Sequence, residues 1–152
     1  MQAHTTIIRR ILVVCSDPAT RRVIEDATRA WMFETVACSL LRDAEDLLAR
    51  QEFALVFCED RFEDGGYRDL LSVVAPSHKV PVVVMISDVG EDSIFRDAVA
   101  LGAFGVVPNP CSTKDVQWMV IRATQGGTSS PRSILSARRA SAPASNGLPQ
   151  RK

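Results

Sequence analysis

The sequence predicts a doubly wound α/β domain, a five-stranded parallel sheet with helices on both faces. Apolar, β-branched runs at residues 11–14, 54–58 and 82–86 lack the polar alternation of a half-exposed strand, which suits strands buried on both sides. Segments of helical period separate them. Strand and helix alternate five times, so right-handed crossovers onto one sheet are expected.

The first strand is read at 11–14. Asp17 and Pro18 then open a helix, the carboxylate capping free amides and the proline fitting the first turn, with Val23, Ile24, Ala27 and Ala30 as its inward stripe. Residues 34–38 read as the second strand and 44–51, with Leu47 and Leu48, as the second helix. The third strand, 54–58, leads through a DGG turn to a short third helix at 69–74. After the fourth strand, 82–86, a fourth helix at 93–101 stops at Gly102. Val106 and Val107 make a brief fifth strand before the breakers PNP. The fifth helix, 113–123, turns Val116, Val120 and Ala123 inward and Trp118, Ile121 and Arg122 outward. In such a fold ligands bind beyond the carboxyl ends of the strands, where the strand order reverses.

Of the 152 residues, 46% are hydrophobic, enough for one core in one domain, assigned to residues 1–125. The 18 basic and 18 acidic side chains balance, yet 126–152 holds Arg132, Arg138, Arg139, Arg151 and Lys152 with no acid. This Ser-, Pro- and Ala-rich tail has only Ile134 and Leu135 as adjacent apolar anchors and is expected to be disordered. Any nucleic-acid contact is expected through it alone. No apolar stretch reaches the ~18 residues that span a bilayer, and the N-terminus has no signal-peptide core. A cytoplasmic protein without a membrane partner is the expectation. Cys15, Cys38, Cys58 and Cys111 form no CxxC pair, which argues against a zinc ribbon or a disulfide framework.

Four features, ILVV with its short loop, ALVFCEDRFEDGGYRDLL, PVVVMIS and ALGAFGVVPNPCSTKDV, resemble in order and spacing the receiver domain of two-component response regulators. The resemblance covers residues 7–124. It implies a flavodoxin-like three-layer sandwich and phosphoryl transfer from a phosphohistidine to an aspartate, with a magnesium ion held by acids. At each position the family uses, this chain departs. The acid pair after the first strand is Cys15 and Ser16, which cannot replace two carboxylates for a hard cation. Asp17 falls one residue late. The acceptor position is Glu59, one methylene longer than aspartate, and Asp60 beside it points to the other face. Ile86 stands where a hydroxyl senses phosphate, with Ser87 after it; Asn109, followed by Pro110, stands where a lysine pairs with it.

The resemblance therefore implies a degenerate, or pseudo-, receiver: no catalysis, magnesium binding lost, and a protein-interaction role independent of phosphorylation. The family's output surface, the fourth helix, fifth strand and fifth helix, here carries Phe95, Val106, Trp118, Ile121 and Arg122. It would meet a sensor kinase, a regulator or a second copy as a homodimer. Two alternatives are a receiver still phosphorylated at Glu59 or Asp60, and a thiol redox or soft-metal switch through Cys15, Cys58 and Cys111.

Overall fold

A computed structural model describes residues 9–77, 80–87 and 92–124. Five strands, β1 (Arg9–Val14), β2 (Phe33–Cys38), β3 (Leu55–Glu59), β6 (Val82–Ile86) and β7 (Gly105–Pro108), form one sheet in the order β2-β1-β3-β6-β7. Every pairing in it is parallel. Chain order reverses at β1, which lies between β2 and β3, so the carboxyl ends of β1 and β3 border the crevice.

Both faces are covered, which is why the strands read as unbroken apolar runs. Leu12, Val14, Val56, Cys58, Val84, Ile86 and Val106 pack on one side with Ala44 and Leu48 of α2 (Leu41–Arg50), Leu70, Leu71 and Val74 of α3 (Tyr67–Ser77) and Ala98 of α4 (Asp92–Ala100). Ile11, Val13, Cys15, Leu55, Phe57, Val83, Met85 and Val107 pack on the other with Ile24 and Ala27 of α1 (Pro18–Arg29) and Val116, Met119 and Val120 of α5 (Thr113–Thr124).

Asp17 caps α1 as expected, its Oδ1 accepting from the Ala19 amide at 3.2 Å, with Pro18 behind it. The inward stripe differs by one residue. Ala30 is exposed, and Thr28 is buried instead, its hydroxyl donating to the Ile24 carbonyl at 2.9 Å. Ala30, at the C-cap, keeps helical backbone angles but lies off the face that Ile24, Ala27 and Thr28 share at three- and four-residue spacing. At the end of α4, Gly102 has φ 104°, and the Gly102 and Ala103 amides donate to the Val99 and Ala98 carbonyls. These two bonds close the helix in a left-handed cap that favours glycine.

The sequence leaves one element unread: β4 (Arg61–Phe62) and β5 (Gly65–Gly66) pair as a small antiparallel hairpin between β3 and α3. Gly65 is tightly set, since a Cβ there would lie 2.8 Å from Asp69 Oδ2 and 2.9 Å from Leu41 Cδ2. The hairpin's Asp64 caps α2 from outside that helix, accepting from the Leu41 amide at 2.7 Å and the Arg42 amide at 3.1 Å. α2 starts at Leu41, three residues before the expected start, with Asp64 supplying the cap that the apolar side chain of Leu40 at the N-cap cannot. The tail 126–152 and its basic residues lie outside the described residues.

Candidate functional site

At the carboxyl edge of the sheet Ser16, Ser39, Glu59, Arg61 and Glu63 line a cleft of about 400 Å³. Glu59, the last residue of β3, turns toward the loop after β1. Its Oε2 accepts from the Ser16 amide at 3.0 Å, and its Oε1 lies 3.8 Å from the Cys15 thiol, which donates to it. Burial, with the Glu59 and Asp17 charges nearby, pushes the Cys15 thiol up to about 11, so it stays protonated and serves as a donor. Where an acid would present acceptors to a cation, the Cys15 side chain thus presents a hydrogen to Glu59, alongside the Ser16 backbone amide.

The neighbouring acids are committed elsewhere. Asp17 spends Oδ1 on the Ala19 amide and Oδ2 on the Thr20 hydroxyl, 2.9 Å away. Asp60 turns to the opposite side of β3, as strand alternation requires, and its Oδ2 accepts from the Ser87 amide at 3.4 Å. Among the described residues no three His, Cys, Asp or Glu side chains converge as a metal site. A magnesium ion takes near-octahedral oxygen ligands, several of them waters, and the acids that line this cleft are Glu59 and Glu63.

The remaining positions are apolar or neutral. Ile86 is wholly buried, paired in register with Pro108, and the exposed Ser87 follows it. Asn109 donates its amide to the Ile86 carbonyl at 2.9 Å, and its Oδ1 lies 3.3 Å from the Thr20 hydroxyl, whose one hydrogen faces the nearer Asp17; the Asn109–Pro110 bond is cis. Thr20, buried on α1 and set between Asp17 and Asn109, was not singled out in the sequence. Its signal was available: it stands three residues after the N-cap, where side chains meet the capping residue. Arg21 was missed as well; its Nε donates to the Cys15 carbonyl at 2.7 Å and holds the loop after β1.

The thiols expected to share this edge are divided by the sheet. Cys15 and Cys111 face the α1–α5 side and Cys58 the other, so the three do not form one cluster. Burial raises Cys111 to about 11, and Cys58 higher still. A thiol switch needs thiolate, which burial here suppresses.

Of the residues assigned to the output surface, Trp118 and Ile121 are 48% and 37% exposed on α5, and Arg122 lies 5.6 Å from the Trp118 ring centre in a cation–π contact. Val106 is a correction. It is 0% exposed, because β7 alternates between two covered faces and this residue points into the core beneath α4. Phe95 is also corrected in part: it is half-buried against that core.

No protein-family model matches the chain. It is 26% identical over 115 residues to the response regulator protein PilR of Pseudomonas aeruginosa, covering 76% of this chain and 26% of that one. It is 29% identical over 110 residues to the two-component response regulator ORR26 of Oryza sativa subsp. japonica, covering 71% and 19%. The chain thus spans about a quarter or less of the length of these curated relatives. Among solved structures, a two-component response regulator from Clostridium difficile superposes with a TM-score of 0.72 at 16% identity, covering 80% of this chain and 99% of that one. Strand order and the structural likeness show the flavodoxin-like fold of receiver domains, and in sequence the chain is similar to these two response regulators over their matched residues. No helix among the described residues is long and apolar enough to cross a membrane.

Proposed function

We propose that this domain is a pseudo-receiver, a non-enzymatic protein-interaction module that works in the cytoplasm without phosphorylation and without magnesium. The observation that carries the reading is the state of Glu59. Its carboxylate is held by the Ser16 amide and the Cys15 thiol, while Asp17 caps a helix and Asp60 turns to Ser87. Ile86, where the resemblance expects the phosphate-sensing hydroxyl, is buried in the core, which supports the same reading.

The interaction surface on this reading is the face of α4 and α5, with Trp118 as its anchor, Ile121 and Arg122 beside it, and Val106 removed from it. Exposed tryptophan next to arginine is the composition of a binding hot spot. The partner is a sensor kinase, another regulator or a second copy of the chain.

Incubation with acetyl phosphate and magnesium, followed by intact-mass measurement, tests the first half. An unmodified mass is expected, and an acid-labile phosphate on Glu59 or Asp60 overturns it. Sedimentation of Trp118→Ala against the parent over a concentration series tests self-association through α5. Weaker association with unchanged thermal stability supports the surface, whereas a large stability loss shows the ring to be structural.

A further inference from the structure

Asp97, in the middle of α4, accepts three hydrogen bonds from the start of α3. Its Oδ2 receives the Tyr67 hydroxyl at 2.6 Å and Arg68 Nε at 2.7 Å, and its Oδ1 receives a terminal guanidinium nitrogen of Arg68 at 2.9 Å. We propose that Tyr67, Arg68 and Asp97 form a clamp that fixes α4 against α3 and ties it to the end of β3. The clamp deepens the proposed function, and its consequence for a partner rests on that reading; its effect on α4 does not.

α4 needs such an anchor. At nine residues it is too short to hold itself helical in water. Its Ala98 is wholly buried, whereas Ile94, Phe95 and Val99 are only half-buried against the core. The Arg68–Asp97 ion pair by itself would hold little, since the arginine side chain is 68% exposed. Two features raise its value. The fork of the guanidinium meets both carboxylate oxygens, which fixes direction as well as distance. The Tyr67 ring, 9% exposed, is packed in the core and aims its hydroxyl at the same carboxylate from a rigid base.

The other end of the clamp is equally tied down. The Tyr67 amide donates to the Asp60 carbonyl at 3.3 Å, and the Gly66 amide to Asp69 Oδ2 at 3.0 Å, closing the β4–β5 hairpin onto α3. The Tyr67 amide thus ties the clamp to the backbone just after β3, and not to the Glu59 side chain, which bonds to Ser16 and Cys15. Ile86 and Val106, on the two strands nearest α4, carry no polar side-chain group to link the cleft to it. The position of α4 is therefore set by contacts that do not depend on the chemistry of the cleft.

Hydrogen exchange on the full chain tests this with Tyr67→Phe, which keeps the ring, and Asp97→Asn, which keeps the shape. The α4 amides should exchange about 2- to 10-fold faster in both variants, the range a lost hydrogen bond covers, with α1 and α5 unchanged. Unchanged α4 exchange in both variants overturns the clamp, and so does an equal acceleration in every helix. The association assay separates the clamp from the surface. Faster α4 exchange with association intact in both Tyr67→Phe and Trp118→Ala upholds the clamp and overturns the surface. Weakened association in Trp118→Ala with unchanged α4 exchange in the clamp variants does the reverse.

Discussion

By the resemblance to receivers Ile86 stands where a phosphate-sensing hydroxyl is expected, and a pair of substitutions there measures how completely the core has absorbed it. The side chain is 0% exposed at the carboxyl end of β6, in a cluster with Cys58, Val84, Ala98 and Val106. Ile86→Val removes one methylene and should cost about 0.5–1.5 kcal/mol. Ile86→Thr has nearly the shape of valine but buries a hydroxyl among apolar groups, adding about 1–3 kcal/mol if that hydroxyl finds no partner. The threonine variant should thus lie about 1.5–4.5 kcal/mol below the parent, with a Tm lower by roughly 6–18 °C for a domain of this size. Urea unfolding of parent, valine and threonine variants, with unchanged m-values, reads both steps. If valine and threonine agree within about 0.5 kcal/mol, the hydroxyl is wet or paired and the site still accommodates a sensing group, which refutes the reasoning.

Three further outcomes are expected. Cys15, raised from an ordinary 9.0 to about 11, should alkylate near neutral pH about a hundredfold more slowly in the native state than after unfolding, and labelling at the unfolded rate would contradict its protonated donor role. Met32, with φ 66° and 68% exposed, occupies a left-handed position that glycine adopts freely; Met32→Gly should stabilise the domain by roughly 1 kcal/mol in a urea melt, and a loss instead would show that the side chain packs. The Leu41 and Arg42 amides hold the Asp64 carboxyl below its ordinary 3.8, so its contribution is present above that value and lost as pH falls through the folded one. Stability of the parent should therefore drop more steeply than that of Asp64→Asn below about pH 4, and parallel curves would rule the cap out.

What sequence alone determined here is the scaffold. Strands buried on both faces leave a local signature, an unbroken apolar run, and Asp17–Pro18 and Gly102 carry their caps within a few residues, so order and type of the five strands and five helices were legible. The identities at the edge were legible too, because the motif spacing put Cys15, Ser16, Glu59, Ile86 and Asn109 at set positions. Tertiary structure decided what those groups do to one another. That Cys15 and Ser16 donate to Glu59, that Asp64 caps a helix 23 residues away, and that Asp97 gathers Tyr67 and Arg68 from 30 and 29 residues back are contacts between separate elements. The burial of Val106 was decided there as well, since a four-residue strand becomes core or surface by what covers it. Caps and strand periodicity act over a few residues of chain, whereas a side chain's partner across the fold depends on how helices and sheet come together.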